Sequence, residues 1–186
     1  MVPVLSLWLP IVVAAVIVFV VSSVIHMVSG FHKNDFRRAP KEDETMDALR
    51  GLSIPPGDYL LPCPGPGQAM GSPEFMAKMT KGPRVLMTIM RPGPFSITSN
   101  LVNWFIYCLV VGFFTAYVTG VALAPGTDYL KVFQIAGCVS FMGYSLALPQ
   151  PSIWYSKSWA TTFKGMVDGL IYGLMTAGTF GWLWPK

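Results

Sequence analysis

The stretch from Leu5 to Val28, LSLWLPIVVAAVIVFVVSSVIHMV, contains no charged residue and is dominated by Val and Ile. A hydrocarbon core about 30 Å thick needs about 20 helical residues, so this segment predicts a membrane-spanning helix. Pro10 sits near its start, where a missing backbone donor costs least. Gly30 offers a stop just beyond it. No Lys or Arg precedes the run and the run is too long for a signal core, so it is read as a retained helix rather than a cleaved leader.

Three further apolar segments follow: Leu101 to Ala124, Tyr129 to Leu148 and Gly165 to Trp184. They end at Pro125-Gly126, at Pro149-Gln150-Pro151 and at Pro185-Lys186. The turn between the second and third is so short that those helices are expected as antiparallel neighbours. The expected fold class is therefore an all-α integral membrane protein, four transmembrane helices with a small cytoplasmic insert between helices 1 and 2. Its divisions are 1–30 for the first helix, 31–98 for the insert and 99–186 for a three-helix transmembrane region.

The charge distribution agrees. Of 186 residues, 53% are hydrophobic and 12% charged, against about a quarter charged in a soluble domain. Thirteen Lys and Arg oppose nine Asp and Glu, and 16 of these 22 charges fall within 31–98. This pattern excludes an ordinary soluble globule, a disordered tail and a nucleic-acid-binding protein. Nine basic residues in the insert, with Lys157 and Lys164 in the last loop, place those loops in the cytoplasm and both termini in the periplasm. Trp8, Trp104, Tyr129, Trp154, Tyr155, Trp159, Trp182 and Trp184 cluster near the expected span ends, as an interfacial belt does.

The insert has its own punctuation. Pro40, then Glu42, Asp43 and Glu44, with Arg50 and Gly51, reads as a short helix with acid at its positive end and base at its negative end. Ser72 and Pro73 open a second helix that Gly82 stops. Gly57 to Leu61 and Arg84 to Met90 suit strands that pair into a hairpin-like cap. Ten of the sixteen prolines lie here, so the insert is expected to rest on the membrane face of the bundle instead of building a large core.

Chemistry-bearing patterns are sparse. Cys63, Cys108 and Cys138 form no CxxC pair, which argues against zinc ligation by Cys and against a disulfide framework. No phosphate-cradling loop and no G-x-S-x-G elbow is present, and no cofactor is called for. His26 and His32 are the two histidines, and spans two to four supply none to complete a bis-histidine haem. His32 and Asp35, with Glu42, Asp43 and Glu44, form a local polar cluster that offers metal-ligating atoms but lacks a fixed ligand spacing, so it is read as a solvated, helix-capping juxtamembrane cluster and no metal site is expected. Asp168 is the one acid inside a span, and a local pair with Lys164 four residues earlier is its expected partner. Gly165, Gly169, Gly173, Ala177 and Gly181 recur every four residues on one helix face, which admits a close helix neighbour.

His32-Lys33-Asn34-Asp35-Phe36, Pro40-Lys41-Glu42-Asp43 and Pro56-Gly57-Asp58-Tyr59 together resemble a family of small uncharacterised bacterial inner-membrane proteins. Its members carry a His-Lys-x-Asp-aromatic run after the first span, then Pro-x-Glu-Asp and Pro-Gly-x-Tyr runs. The resemblance implies a bacterial inner membrane and assigns no site. Three functions are weighed. The first is a non-enzymatic accessory or structural subunit, whose partners are the lipid bilayer and other membrane subunits or further copies of itself. The second is a small transporter or channel with Asp168 in its path. The third is a membrane enzyme or metal-binding protein using His32 and nearby acids.

Overall fold

The structure, a computed structural model, describes residues 1–67, 69–94 and 96–186. The chain divides into a helical unit, Met1–Phe36 with Ser96–Lys186, and a small unit, Arg37–Phe95.

The helical unit contains α1 (Trp8–Met27), entered through a 3-10 turn at Val4–Leu7, then α4 (Thr98–Ala122), α5 (Tyr129–Ser145), the short α6 (Gln150–Tyr155) and α7 (Trp159–Trp182). Three segments are long and apolar enough to cross a membrane: Val4–Met27, Thr98–Ala122 and Tyr129–Tyr155. The α7 helix has 24 residues but is less apolar, because Lys164, Asp168 and its many Gly and Thr residues replace aliphatic ones. Helix α1 packs on α4 and α7, α4 on α5, and α5 most extensively on α7. The four long helices therefore close into a ring.

Pairwise contacts fix their directions. Val2 N donates to Gly120 O at 2.7 Å, joining the start of α1 to the end of α4. Tyr107 Oη donates to Gly143 O at 2.6 Å, joining early α4 to late α5. Gly181 lies against the Tyr129 ring and Gly169 against Ser145, so α5 and α7 also run antiparallel. The result is an up-down-up-down bundle.

Its interior holds two apolar clusters. One, around Leu7, Ala116, Val132 and Phe180, lies toward the termini. The other, around Val18, Cys108, Val111, Tyr144 and Tyr172, lies toward the end of α1 and the start of α7. Between them, buried Thr115, Ser140 and Thr176 donate back to the carbonyls four residues earlier, at 2.8, 2.7 and 2.9 Å. This satisfies hydroxyls that have no water to turn to. Outward, Val12, Val16 and Val20 of α1 and Phe113, Phe114 and Val121 of α4 are exposed, an apolar coat suited to lipid.

Two of the expected belt aromatics turn inward. Trp104 donates its indole N–H to Ser22 Oγ at 2.8 Å, and buried Trp184 donates to Ala124 O at 3.0 Å. A buried indole N–H needs an acceptor, and both find one on a neighbouring element of the bundle.

In the small unit, α2 (Glu42–Gly51) and α3 (Pro73–Lys81) accompany β1 (Gly57–Leu61) and β2 (Val85–Ile89). The strands pair antiparallel, with Tyr59 opposite Met87. Ser72 caps α3 by accepting from Phe75 N at 3.3 Å, with Pro73 as its first residue, as the sequence indicates. Phe75 is buried and most other side chains are exposed, so this unit has little core of its own.

Candidate metal centre

The centre is built where α1 ends. Gly30 adopts φ +66°, a left-handed turn that a side chain would strain, and the chain folds back over the start of α7. The backbone of 31–35 is held by turns, Lys33 N to Gly30 O at 3.2 Å and Asp35 N to His32 O at 3.0 Å. The His32 ring consequently stacks on His26, the one histidine of α1, with centroids 4.3 Å apart. From the other side, α7 presents Lys164, Asp168 and Tyr172, one turn apart on a single face.

The polar contacts form a chain. Lys164 Nζ donates to Asp35 Oδ1 and to Phe31 O, both at 2.8 Å, and lies 5.3 Å from the Phe31 ring centroid. Asp35 Oδ2 accepts from His32 Nδ1 at 2.5 Å. His32 Nε2 lies 2.8 Å from Asp168 Oδ2, and His26 Nε2 lies 4.0 Å from the same oxygen. Tyr172 Oη lies 3.4 Å from His26 Nε2. Asp168 is 4% exposed, whereas the His26 side chain is 49% exposed.

This arrangement corrects the expected Lys164–Asp168 pair. The spacing along α7 permits that pair, but the folded-back loop supplies Lys164 with a carboxylate and a carbonyl, and supplies Asp168 with His32. Asp168 is also deeper than expected, because α7 begins at Trp159 and the loop covers it. The polar cluster expected around His32 divides as well. Only His32 and Asp35 reach the centre, while Glu42 pairs with Arg38 at 2.6 Å and Glu44 with Lys41 at 2.9 Å within the small unit.

The His32 ring lies between two carboxylates. An ionised carboxylate accepts and cannot donate, so the His32 proton toward Asp35 is on Nδ1. His32 Nε2 lies 2.8 Å from Asp168 Oδ2. With both ring nitrogens protonated it donates to that oxygen, and with Nδ1 alone protonated its lone pair faces the carboxylate and is open to a cation shared between them. Among the described residues Asp168 Oδ1 is buried without a hydrogen-bond partner, which leaves a free carboxylate oxygen beside the two imidazoles.

The geometry suits such a cation. One donor atom from each of His26, His32 and Asp168 falls within 4.8 Å of the others. Ligand bonds of about 2.0–2.2 Å place tetrahedral donors about 3.4 Å apart, so the His26 and Asp168 atoms, now 4.0 Å apart, draw together by about half an ångström around an ion. Asp35 stands behind His32 as the carboxylate that fixes the tautomer of a metal-ligating imidazole, and Lys164 holds Asp35. Tyr172 is the member of the group that sequence reasoning does not reach, although its four-residue spacing from Asp168, like that of Lys164, is a usable signal.

The Lys164 hydrogen bond, followed by that from His32, holds the Asp35 carboxyl below the usual carboxylate range. A carboxyl lowered by folding contributes stability that is complete above its ordinary value and is lost as pH falls through its lowered one. Lys164→Met is therefore expected to unfold at lower temperature than wild type at neutral pH. The deficit should shrink in acid as Asp35 protonates in both proteins. Thermal midpoints from about pH 2 to pH 7 check this.

The small-residue face of α7 is filled within the chain. A Cβ on Gly165 would lie 3.3 Å from Leu148 Cδ1, and one on Gly169 would strike Ser145 Oγ. One on Gly173 would lie 3.3 Å from Phe141 N, and one on Gly181 would lie 2.6 Å from the Tyr129 ring. Ala177 is fully buried, with its Cβ 3.1 Å from where one on Gly137 would be. Comparisons with protein-family models, with curated proteins and with solved structures give no match.

Proposed function

We propose that this chain is a four-span protein of the bacterial inner membrane that binds a divalent first-row transition-metal ion through His26 Nε2, His32 Nε2 and the Asp168 carboxylate. The observation that carries the reading is the convergence of donor atoms from His26, His32 and Asp168 within 4.8 Å of one another, with Asp35 behind His32 and Asp168 Oδ1 left without a hydrogen-bond partner among the described residues. Two imidazoles and one carboxylate favour Zn, Fe, Co, Ni or Cu over Mg or Ca, which prefer all-oxygen shells. Helix α7 serves as the fourth span in this reading. Its length and its place in the helix ring support that role, and burying its Gly, Thr and Asp168 face against α5 and α1 offsets its lower apolarity. The basic loops support a cytoplasmic insert and periplasmic termini, which sets the centre near the cytoplasmic face.

The test is metal analysis of protein purified in mild detergent, stripped with chelator, reloaded with Zn2+ and desalted. Wild type is expected to retain about one ion per chain, and His32→Ala, eluting as wild type does on gel filtration, a small fraction of that. Wild-type protein that retains no ion, or a His32→Ala variant that retains as much as wild type, would overturn the reading. A role as a subunit of a larger complex is compatible with this centre, and native-gel migration after gentle extraction tests it separately.

A further inference from the structure

Resting on the metal-binding reading, we infer that the ion keeps a coordination position open and takes a small anion there, hydrogen-bonded by the Tyr172 hydroxyl. The centre is then a reactive one and not a structural staple. Three observations converge on this.

Among the described residues, three side chains bring a ligating atom to the site. The Asp35 carboxylate beside them has both of its oxygens engaged, Oδ1 by Lys164 at 2.8 Å and Oδ2 by His32 at 2.5 Å. Lys164 is spent on Asp35 and the Phe31 carbonyl. Three protein ligands with an open fourth position is the pattern of catalytic zinc sites, and two histidines with one carboxylate is that of non-haem iron centres with open positions.

Tyr172 must find a new acceptor once the ion binds. Its hydroxyl donates to His26 Nε2 when His26 carries its proton on Nδ1, at a long 3.4 Å. An ion at His26 Nε2 takes up that lone pair. Tyr172 is 3% exposed, so its O–H does not turn out to bulk water. A buried donor without an acceptor is costly, and a ligand bound to the ion beside it supplies one.

Charge selects the ligand. A divalent cation with two neutral imidazoles and one carboxylate leaves a net positive centre, while Asp35 and Lys164 neutralise one another. A single small anion, hydroxide or one of azide size, completes the balance. The half-exposed His26 ring marks the open side through which it enters.

The probe is Co2+, whose visible absorption reports coordination, with azide as the anion. Co2+-loaded wild type is expected to change its spectrum saturably on azide titration. Tyr172→Phe removes only the hydroxyl and retains the ring that packs on Trp104 and Tyr144. It should bind Co2+ within about threefold of wild type but azide at least about tenfold more weakly. Co2+ bound with no spectral response to azide overturns the inference and leaves metal binding standing. Equal azide affinity in wild type and Tyr172→Phe removes the assigned role of Tyr172. No Co2+ binding by wild type overturns the metal reading and this inference with it. Should Tyr172→Phe fail to fold, the wild-type azide titration alone decides whether a position is open.

Discussion

Asp168→Ala is expected to bind a first-row transition-metal ion at least about a hundredfold more weakly than wild type, measured by competition with a chromophoric chelator. Asp168 is the one anionic ligand in the proposed set and also its most buried member. Its removal leaves two imidazoles and no charge to offset a dication in a partly desolvated site. The effect should exceed that of Asp35→Asn, which leaves all three donors in place and disturbs only the tautomer and aim of His32. That variant is expected to lose about tenfold to a hundredfold. Asp168→Ala binding the ion within about tenfold of wild type would refute the ligand assignment.

The parts of this molecule visible in its sequence are those set by short-range rules. Uninterrupted apolar runs mark α1, α4 and α5, because burying a backbone in lipid demands an unbroken helix of sufficient length. Ser72, Pro73 and Gly82 mark both ends of α3, because capping acts within one turn. The hairpin of β1 and β2 is readable from composition and bounding turns. The centre is different. Its partners are far apart in sequence, His32 with Asp168 and Asp35 with Lys164, and they meet only because Gly30 reverses the chain. Local spacing therefore assigned Lys164 to Asp168, a pair the i,i+4 rule favours in an isolated helix. A loop bearing a second acid and a histidine outcompetes it, because each buried charge then gains a better-placed partner. The inward turn of Trp104, near the start of α4, is unreadable for a related reason. Distance from a span end says nothing about which side of the helix faces protein, and Ser22 of α1 supplies its acceptor.

The glycine stripe of α7 shows the same limit and yields the second large effect. Its four-residue spacing identifies a face that admits close approach, while only the fold says which helix approaches. Gly169→Val is expected to destabilise the bundle by about 3 kcal/mol or more. A Cβ there would strike Ser145 Oγ and lie 3.1 Å from Tyr144 Cβ and 3.2 Å from Ser145 Cβ. Rotating the serine hydroxyl relieves the first contact only. The other two are to atoms fixed to the α5 backbone, and Ser145 is buried, so α5 and α7 must separate. That separation propagates to Gly173, where a Cβ would lie 3.3 Å from Phe141 N, and it displaces the adjacent Asp168 from His32. For a chain of this length the thermal midpoint in detergent should fall by about 6–12 °C. Gly178→Ala is the control on the same helix. Its nearest neighbour is Tyr129 Oη at 3.6 Å, an ordinary contact, and alanine favours a helix over glycine. It should leave the midpoint unchanged or slightly raised. A stripe that served instead to dock a separate subunit would give the opposite pattern, with Gly169→Val melting as wild type does in isolation and failing only to retain a partner.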